Sequence, residues 1–289
     1  MIRLAVRCPR ERAEAVLAEL LELSPNGVEE EGGEGYVEFA IYGVPGELPE
    51  LPDLHAAAGG HRVEIETTDV PDDWADRWRD FHRPILVGER LLVRPSWLGG
   101  NLPQAPFEVV IDPGRAFGTG GHPTTRLCLE LLLALADAGR ASGSLADWGT
   151  GSGLLAIAAA KLGFGPVIGC DHERAALESA AASAGRNGVE LELSRVNLRE
   201  HPPPAAESAT ANLTAPILRE VAERMVEPPK RLICSGLLAA ETESIVSAFE
   251  RRGLVLSERR SLGDWLALLL EREPSRPGSA LGPARARRG

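Results

Sequence analysis

The feature that most constrains the fold lies between residues 106 and 273, where short aliphatic runs alternate with helical stretches. Strand "FEVVID", helix "HPTTRLCLELLLALADAG", strand "SLADWG", helix "GLLAIAAAKLG", strand "PVIGCD" and helix "ERAALESAAASAGRNG" come first. Strands "ELELSRV" and "ESATANL", helix "PILREVAERMV", strand "RLICSG" and helix "LAAETESIVSAFERRG" follow. Repeated strand-helix units build a largely parallel sheet with helices on both faces, because a parallel crossover needs a long connection and a helix supplies it. The ending is different. "LVLSERR" and "WLALLLER" are separated only by 261–264, so the last two strands read as a hairpin added to the parallel sheet. A dinucleotide-binding domain does not normally finish that way.

Two glycine-rich loops interrupt the pattern, "AFGTGGHPTT" (116–125) and "DWGTGSGLL" (147–155). In the second, Asp147 stands at a strand end and Gly149, Gly151 and Gly153 form the turn into a helix, where missing side chains let a ligand lie against the backbone. Farther on, "VIGCD" ends in Asp171, a carboxylate suited to gripping two ribose hydroxyls. Glycine turn plus distal acid fits dinucleotides and S-adenosylmethionine alike. A P-loop is excluded, because no lysine follows either loop in the G-x-x-x-x-G-K-[ST] pattern. Two features favour adenosylmethionine: Asp147 completes a D-x-G-x-G-x-G pattern, and "NLTAP" (212–216) sets Asn212 at the end of the fourth sheet strand. There it overlooks the crevice at the carboxyl ends of the strands.

The first 68 residues follow a different order. "IRLAVRC" reads as a strand, "RERAEAVLAELLEL" as an amphipathic helix, and "GVEEE" and "GYVEFAIYG" as two strands around "GGEG". A short helix over "PDLHAAA" and a strand "HRVEIETT" complete the β-α-β-β-α-β order of a ferredoxin-like sandwich. Five arginines, no lysine and fourteen carboxylates leave this segment at −9 of the whole chain's −11. Such a surface repels a phosphate backbone and attracts a basic protein, which argues against direct nucleic-acid binding. Residues 69–105 read as a structured connector: Trp74, Trp78 and Phe81 share one face of a helix suited to packing on a neighbour, and "RPILVGERLLVRPSW" reads as a strand pair joined at "VGE". The tail 274–289 has proline, glycine and four arginines without apolar periodicity, and disorder is expected.

Composition excludes several classes. A 44% hydrophobic and 25% charged chain is that of a globular protein, and no apolar run approaches the ~18 residues needed to cross a bilayer. The opening residues lack the uninterrupted apolar stretch of a signal peptide, so a cytoplasmic location without membrane association is expected. Cys8, Cys128, Cys170 and Cys234 form no C-x-x-C pair, so neither a disulfide framework nor a metal site is expected.

"DPGRAFGTGGHPTT", "DWGTGSGLLAIAAAKLG", "CDHERAALESAAASAGRNGV", "NLTAPIL" and "SGLL", in this order, resemble the bacterial methyltransferases of ribosomal protein L-eleven (PrmA family). "DDWADRWRDFHRPILVGERLLVRPSW" is similar to that family's interdomain region, so the likeness covers nearly the whole chain short of the tail. It implies an α/β fold: a Rossmann-like seven-stranded methyltransferase domain (106–273) behind a small α+β ferredoxin-like domain (1–68) that recognises the ribosomal protein. It implies S-adenosylmethionine as cofactor and methylation of lysine ε-amines and the N-terminal α-amine. Carried over by position, the cofactor contacts are Thr125, Gly149, with Gly151 in the same turn, Asp171 on the ribose, and Asn212 near the reacting methyl. A monomer is expected. A lysine methyltransferase acting on another protein, or a non-catalytic adenosylmethionine-binding assembly factor, are the alternatives. The chain departs from the family's usual pattern after the ribose carboxylate, where "DHER" supplies His172, Glu173 and Arg174.

The chemistry asks little of covalent catalysis. In-line transfer to nitrogen requires donor and acceptor to be aligned and the amine to be uncharged. A lysine of pKa near ~10.4 is neutral at pH 7 about once in a few thousand, a deficit of roughly 4.6 kcal/mol. Desolvation, a nearby sulfonium charge and amide acceptors can offset it. Asn212 fits the acceptor role and is the catalytic candidate. His122, in a loop before a proline-started helix, reads as structural.

Overall fold

The computed structural model describes residues 2–10, 13, 16–17, 20, 29–33, 35–43, 64–69, 84–100, 102–112 and 120–272. The expected helix over "PDLHAAA", the Trp74, Trp78 and Phe81 stripe, residues 116–119 of the first glycine loop and the tail lie outside the described residues.

The amino-terminal part is a four-stranded antiparallel sheet of β1 (Ile2–Pro9), β2 (Glu29–Gly32), β3 (Tyr36–Gly43) and β4 (Glu64–Asp69) in the order β2-β3-β1-β4. That is the strand order of a ferredoxin-like sandwich. Alternation along the strands sends Leu4, Val6 and Cys8 of β1 and Val37, Phe39 and Ile41 of β3 to one face. Ala13, Val16, Leu17 and Leu20 are helical, at the i, i+3, i+4, i+7 spacing of one helix face, and pack into the same cluster.

A three-stranded sheet follows. β5 (Ile85–Val87) and β6 (Leu91–Arg94) form the expected antiparallel pair, and β7 (Phe107–Val110) lies parallel to β6. β7 is the "FEVVID" strand that the sequence pattern groups with the downstream units, yet it pairs here and not in the large sheet. The amides of Phe107 and Ile111 donate to Arg90 and Arg94 carbonyls, which fixes that register.

The large sheet contains β8 (Leu145–Trp148), β9 (Val167–Asp171), β10 (Glu192–Arg195), β11 (Ser208–Asn212), β12 (Arg231–Leu238), β13 (Leu254–Leu262) and β14 (Trp265–Arg272). Its order is β10-β9-β8-β11-β12-β14-β13, parallel except for β14, which runs antiparallel to both its neighbours. The closing hairpin read from the sequence therefore inserts its second strand beside β12. The helices that accompany this sheet among the described residues are α1 (Pro123–Asp137), α2 (Leu154–Leu162), α3 (Arg174–Asn187), α4 (Ala215–Arg224) and α5 (Thr242–Glu250).

Two apolar clusters cover the two faces. Leu145, Val167, Ile233 and Leu269 face α1 and α2, whereas Ala146, Trp148, Cys170, Ala211 and Cys234 face α4 and α5. The first cluster also takes in Val87, Leu91, Val93 and Val109 of the small sheet, so α1 is buried on more than one side. Its Leu127, Leu131 and Leu135 each remove a side chain from water, worth roughly 2 kcal/mol apiece.

Asn187, the last residue of α3, fastens the small sheet to the large domain. Its Oδ1 accepts the Val110 N–H at 2.8 Å, while its Nδ2 donates to the Val110 carbonyl at 2.7 Å and to the Ser183 carbonyl at 2.9 Å. Arg186 adds an ion pair to Asp112 at 3.2 Å.

Candidate active site

The carboxyl ends of the parallel strands meet along one edge. Trp148 is in register with Cys170 on one side and Ala211 on the other, and Asn212 with Ser235. Asp171 closes β9 and Asn212 closes β11, so they flank β8 about 10 Å apart at the usual strand spacing. Alternation along each strand sets both on the α1 and α2 face, opposite to Cys170 and Ala211.

Between them runs the second glycine loop. Gly149, Gly151 and Gly153 have φ of 76°, 53° and 84°, a backbone that L side chains rarely adopt. A Cβ on Gly149 would lie 2.5 Å from Leu213 Cδ2, so the turn presses directly on the residue after Asn212. The Cys170 carbonyl accepts the amides of Gly149 and Thr150, each at 2.9 Å, and pins the loop to β9.

Asp171 is held from the same loop. Its Oδ2 accepts the Gly151 N–H at 3.0 Å and its Oδ1 the Glu173 N–H at 3.0 Å. Each oxygen keeps a lone pair for a further donor, so the carboxylate is oriented but not saturated. His172 beside it is well exposed, with Nδ1 3.3 Å from Asp171 Oδ1 and Nε2 3.6 Å from Glu173 Oε1. Arg174 turns to Glu178 along α3, at 2.8 Å.

Asp147 behaves differently. Burial is nearly complete, and its oxygens accept the hydroxyls of Thr150 at 2.8 Å and Thr210 at 2.6 Å, together with the Ala156 N–H. Burial raises its pKa from the ordinary 3.8 to about 6, with those three donors opposing the rise. A carboxylate so enclosed shapes the loop from within.

On the other side of the edge, Asn212 Nδ2 donates to Thr125 Oγ1 at 3.1 Å. The two residues that the family resemblance assigns to one cofactor are thus brought together from β11 and the first turn of α1. Thr125 is buried, and its neighbour Thr124 has Oγ1 2.7 Å from His122 Nδ1. His122 caps α1 by accepting the Thr124 N–H at 3.4 Å, and its ring meets Trp265 edge-on at 4.9 Å. Burial lowers its pKa, which keeps the imidazole neutral at pH 7. Gly236, at φ 87°, sits where a Cβ would approach the Leu213 carbonyl oxygen to 2.3 Å. β12 therefore meets the residue beside Asn212 backbone to backbone.

Thr150 and Thr210 escape a reading of the sequence, since threonine in a loop or strand is ordinary. Thr210 leaves one trace: it stands two residues before Asn212, hence on the same face of β11. Among the described residues no group of three or more His, Cys, Asp or Glu is placed to hold a metal ion, and no helix is long and apolar enough to cross a membrane.

A seven-stranded sheet with one antiparallel strand in this order, a glycine turn after its first strand and an acid closing its second, define the Rossmann-like fold of methyltransferases. The chain belongs to the family described as ribosomal protein L11 methyltransferase (PrmA), whose family model matches residues 50–273. A ribosomal protein L11 methyltransferase of Pelotomaculum thermopropionicum is 38% identical over 202 residues, and that of Geobacter metallireducens 37% over 222. These alignments take in 68% and 75% of this chain. The chain spans 65% of the length of the Pelotomaculum relative and 73% of the Geobacter one. A solved structure, the ribosomal protein L11 methylase of Lactobacillus delbrueckii subsp. bulgaricus, superposes with a TM-score of 0.58 at 27% identity, covering 66% of this chain and 99% of that one.

Proposed function

We propose that the chain is a protein N-methyltransferase that moves methyl groups from S-adenosylmethionine to lysine ε-amines and the N-terminal α-amine of ribosomal protein L11. The single observation that carries this reading is the Asn212–Thr125 hydrogen bond, which joins the two cofactor positions of the family pattern at the strand edge that Asp171 also closes. The residues fit a cofactor that bears an adenosyl group and no phosphate. The amino end of α2, the usual seat of a phosphate in such folds, already faces the Asp147 carboxylate through Ala156.

The bound cofactor supplies an activated sulfonium methyl. Asp171, with a lone pair left on each oxygen, accepts the ribose hydroxyls, and the glycine turn gives close backbone approach at Gly149 and Gly151. Thr125 holds the Asn212 amide by accepting one of its N–H groups, which leaves the Asn212 side-chain oxygen to accept from the incoming amine. That interaction orients the nitrogen lone pair for in-line attack once the amine has given up its extra proton to solvent. No general base is assigned, and neutral His122 serves as the cap of α1. Residues 1–68, with their −9 charge, recognise the basic ribosomal protein, 69–105 connect, and 106–273 carry the reaction. The acidic segment disfavours direct nucleic-acid contact, and the chain acts as a monomer in the bacterial cytoplasm.

The test is radiolabelled methyl transfer to purified ribosomal protein L11, beside calorimetric titration of S-adenosylmethionine. Binding and label together support the reading. Binding without label on any protein would instead identify a non-catalytic binder, label on another protein would move the substrate, and loss of both would overturn the proposal.

A further inference from the structure

Asp147 is 1% exposed and joins four pieces of the molecule. It belongs to β8, accepts Thr150 Oγ1–H from the glycine turn, accepts Thr210 Oγ1–H from β11, and accepts the Ala156 N–H from the first turn of α2. The last of these bonds replaces a missing cap. The N-cap of α2 is Gly153, which has no side chain to offer, so one of the helix's orphan amides would go unsatisfied without a group from elsewhere. A carboxylate there also opposes the positive end of the helix.

The surroundings make room for this arrangement. Gly169 is the register partner of Asp147 on β9, and a Cβ there would stand 3.1 Å from Thr150 Oγ1 and 2.8 Å from Leu193 Cδ2. Thr210 pairs with Asp147 on the opposite flank and shares its strand face with Asn212, whose amide reaches Thr125. One buried carboxylate thus links the turn assigned to the cofactor with the strand that carries the candidate catalytic amide.

We infer that Asp147 is a positioning residue for methyl transfer: a built-in anion at the amino end of α2 that, through Thr150 and Thr210, fixes the glycine turn relative to Asn212. This rests on the reading of the site as one for S-adenosylmethionine. The carboxylate touches neither cofactor nor substrate and acts only through its two hydroxyl partners and the Ala156 amide. Its action needs the charged form, since only a carboxylate accepts from all three donors without giving up an oxygen to a proton. The titratable groups that face it are Cys128 from α1, Cys170 from β9 and Asp171 at the end of β9. Burial pushes both thiols up, so they stay neutral at pH 7, and the Coulombic effect of Asp171 adds to the rise at Asp147.

The experiment compares the whole chain with Thr210→Val, which keeps the shape and removes the hydroxyl, Thr210→Ser, which keeps the hydroxyl, and Asp147→Asn. Calorimetric Kd for S-adenosylhomocysteine and single-turnover methyl transfer are read separately, at about pH 7.5 and about pH 5. Thr210→Val is expected to weaken binding about tenfold and slow transfer, with Thr210→Ser within about threefold of the wild type. Wild-type affinity falls toward the lower pH and that of Asp147→Asn does not. If Thr210→Val does not fold, Thr150→Val against Thr150→Ser makes the same comparison. Equal binding by the valine and wild-type proteins, no rescue by serine, or a wild-type pH response in Asp147→Asn would overturn the inference. A wild-type protein that binds no S-adenosylhomocysteine overturns the cofactor reading and the inference with it, whereas normal binding with an inert Thr210 overturns the inference alone.

Discussion

Asn212 and Thr125 are 87 positions apart in the chain and 3.1 Å apart in space, the amide of one donating to the hydroxyl of the other. The bond commits one amide hydrogen and leaves the acceptor capacity of the side-chain oxygen unused by Thr125. Asn212→Ala is therefore expected to lower kcat about a hundredfold while changing the Kd of S-adenosylhomocysteine only a few-fold. Steady-state kinetics beside calorimetry separates the two, and unchanged turnover would refute the role given to Asn212.

Asp171→Ala removes the acceptor of two backbone amides at once, Gly151 in the turn and Glu173 at the start of α3. Because the same change removes the acceptor proposed for the ribose hydroxyls, cofactor affinity should fall by about two orders of magnitude, near 3 kcal/mol, and the two stranded amides should lower the melting temperature as well. Calorimetry with S-adenosylhomocysteine checks the first part and thermal unfolding the second.

Asp147 makes stability depend on pH in an unusual direction for a carboxyl group. Its folded pKa of about 6 lies above the ordinary 3.8, so the fold holds the proton more tightly than the unfolded chain does. The stabilisation from that proton is full below about pH 4 and disappears as pH rises through 6, a change of about 3 kcal/mol. Relative to Asp147→Asn, the wild type should therefore lose about that much stability between pH 4 and pH 7, as read from urea unfolding of both proteins.

Gly236→Ala places a Cβ against the Leu213 carbonyl oxygen at a φ of 87°. Both the clash and the backbone conformation oppose it, and a loss of about 3 kcal/mol is expected. Because Leu213 follows Asn212, the surviving folded protein should also transfer methyl groups more slowly. A denaturation curve together with single-turnover rates would show whether the two effects travel together.

All four cysteines are buried, and burial pushes the thiols of Cys128, Cys170 and Cys234 up, Cys170 to about 12. Ellman's reagent attacks the thiolate, so the native protein should react slowly at pH 8 and the denatured protein should release four equivalents.

Much of the large-sheet region is legible in the chain because its signals are local. The run from β8 to α3 carries its strand, glycine turn, helix and closing acid in contiguous residues, and the final hairpin follows from the absence of a helix between "LVLSERR" and "WLALLLER". Asn212 is named by its place at a strand end and Thr125 by the family resemblance, but their hydrogen bond depends on how α1 crosses the sheet, which no spacing encodes. β7 reads like one more strand of the large sheet because its composition is the same. Its true partner is set by Arg90, Arg94 and the side chain of Asn187, which lies 77 positions from Val110. The shared role of Thr150 and Thr210 is hidden for a similar reason, since both acquire meaning only once Asp147 is enclosed between them.

The bracket between Asn187 and Val110 also bears on solubility. β7 is the last strand of its small sheet, and the outward-facing Val110 would otherwise present a donor and an acceptor ready to template a stranger's strand. One amide side chain answers both groups with the geometry of a neighbouring peptide, so the end of α3 serves as a single-residue counterfeit strand. A helix terminus thereby closes the carboxyl end of an otherwise open sheet edge.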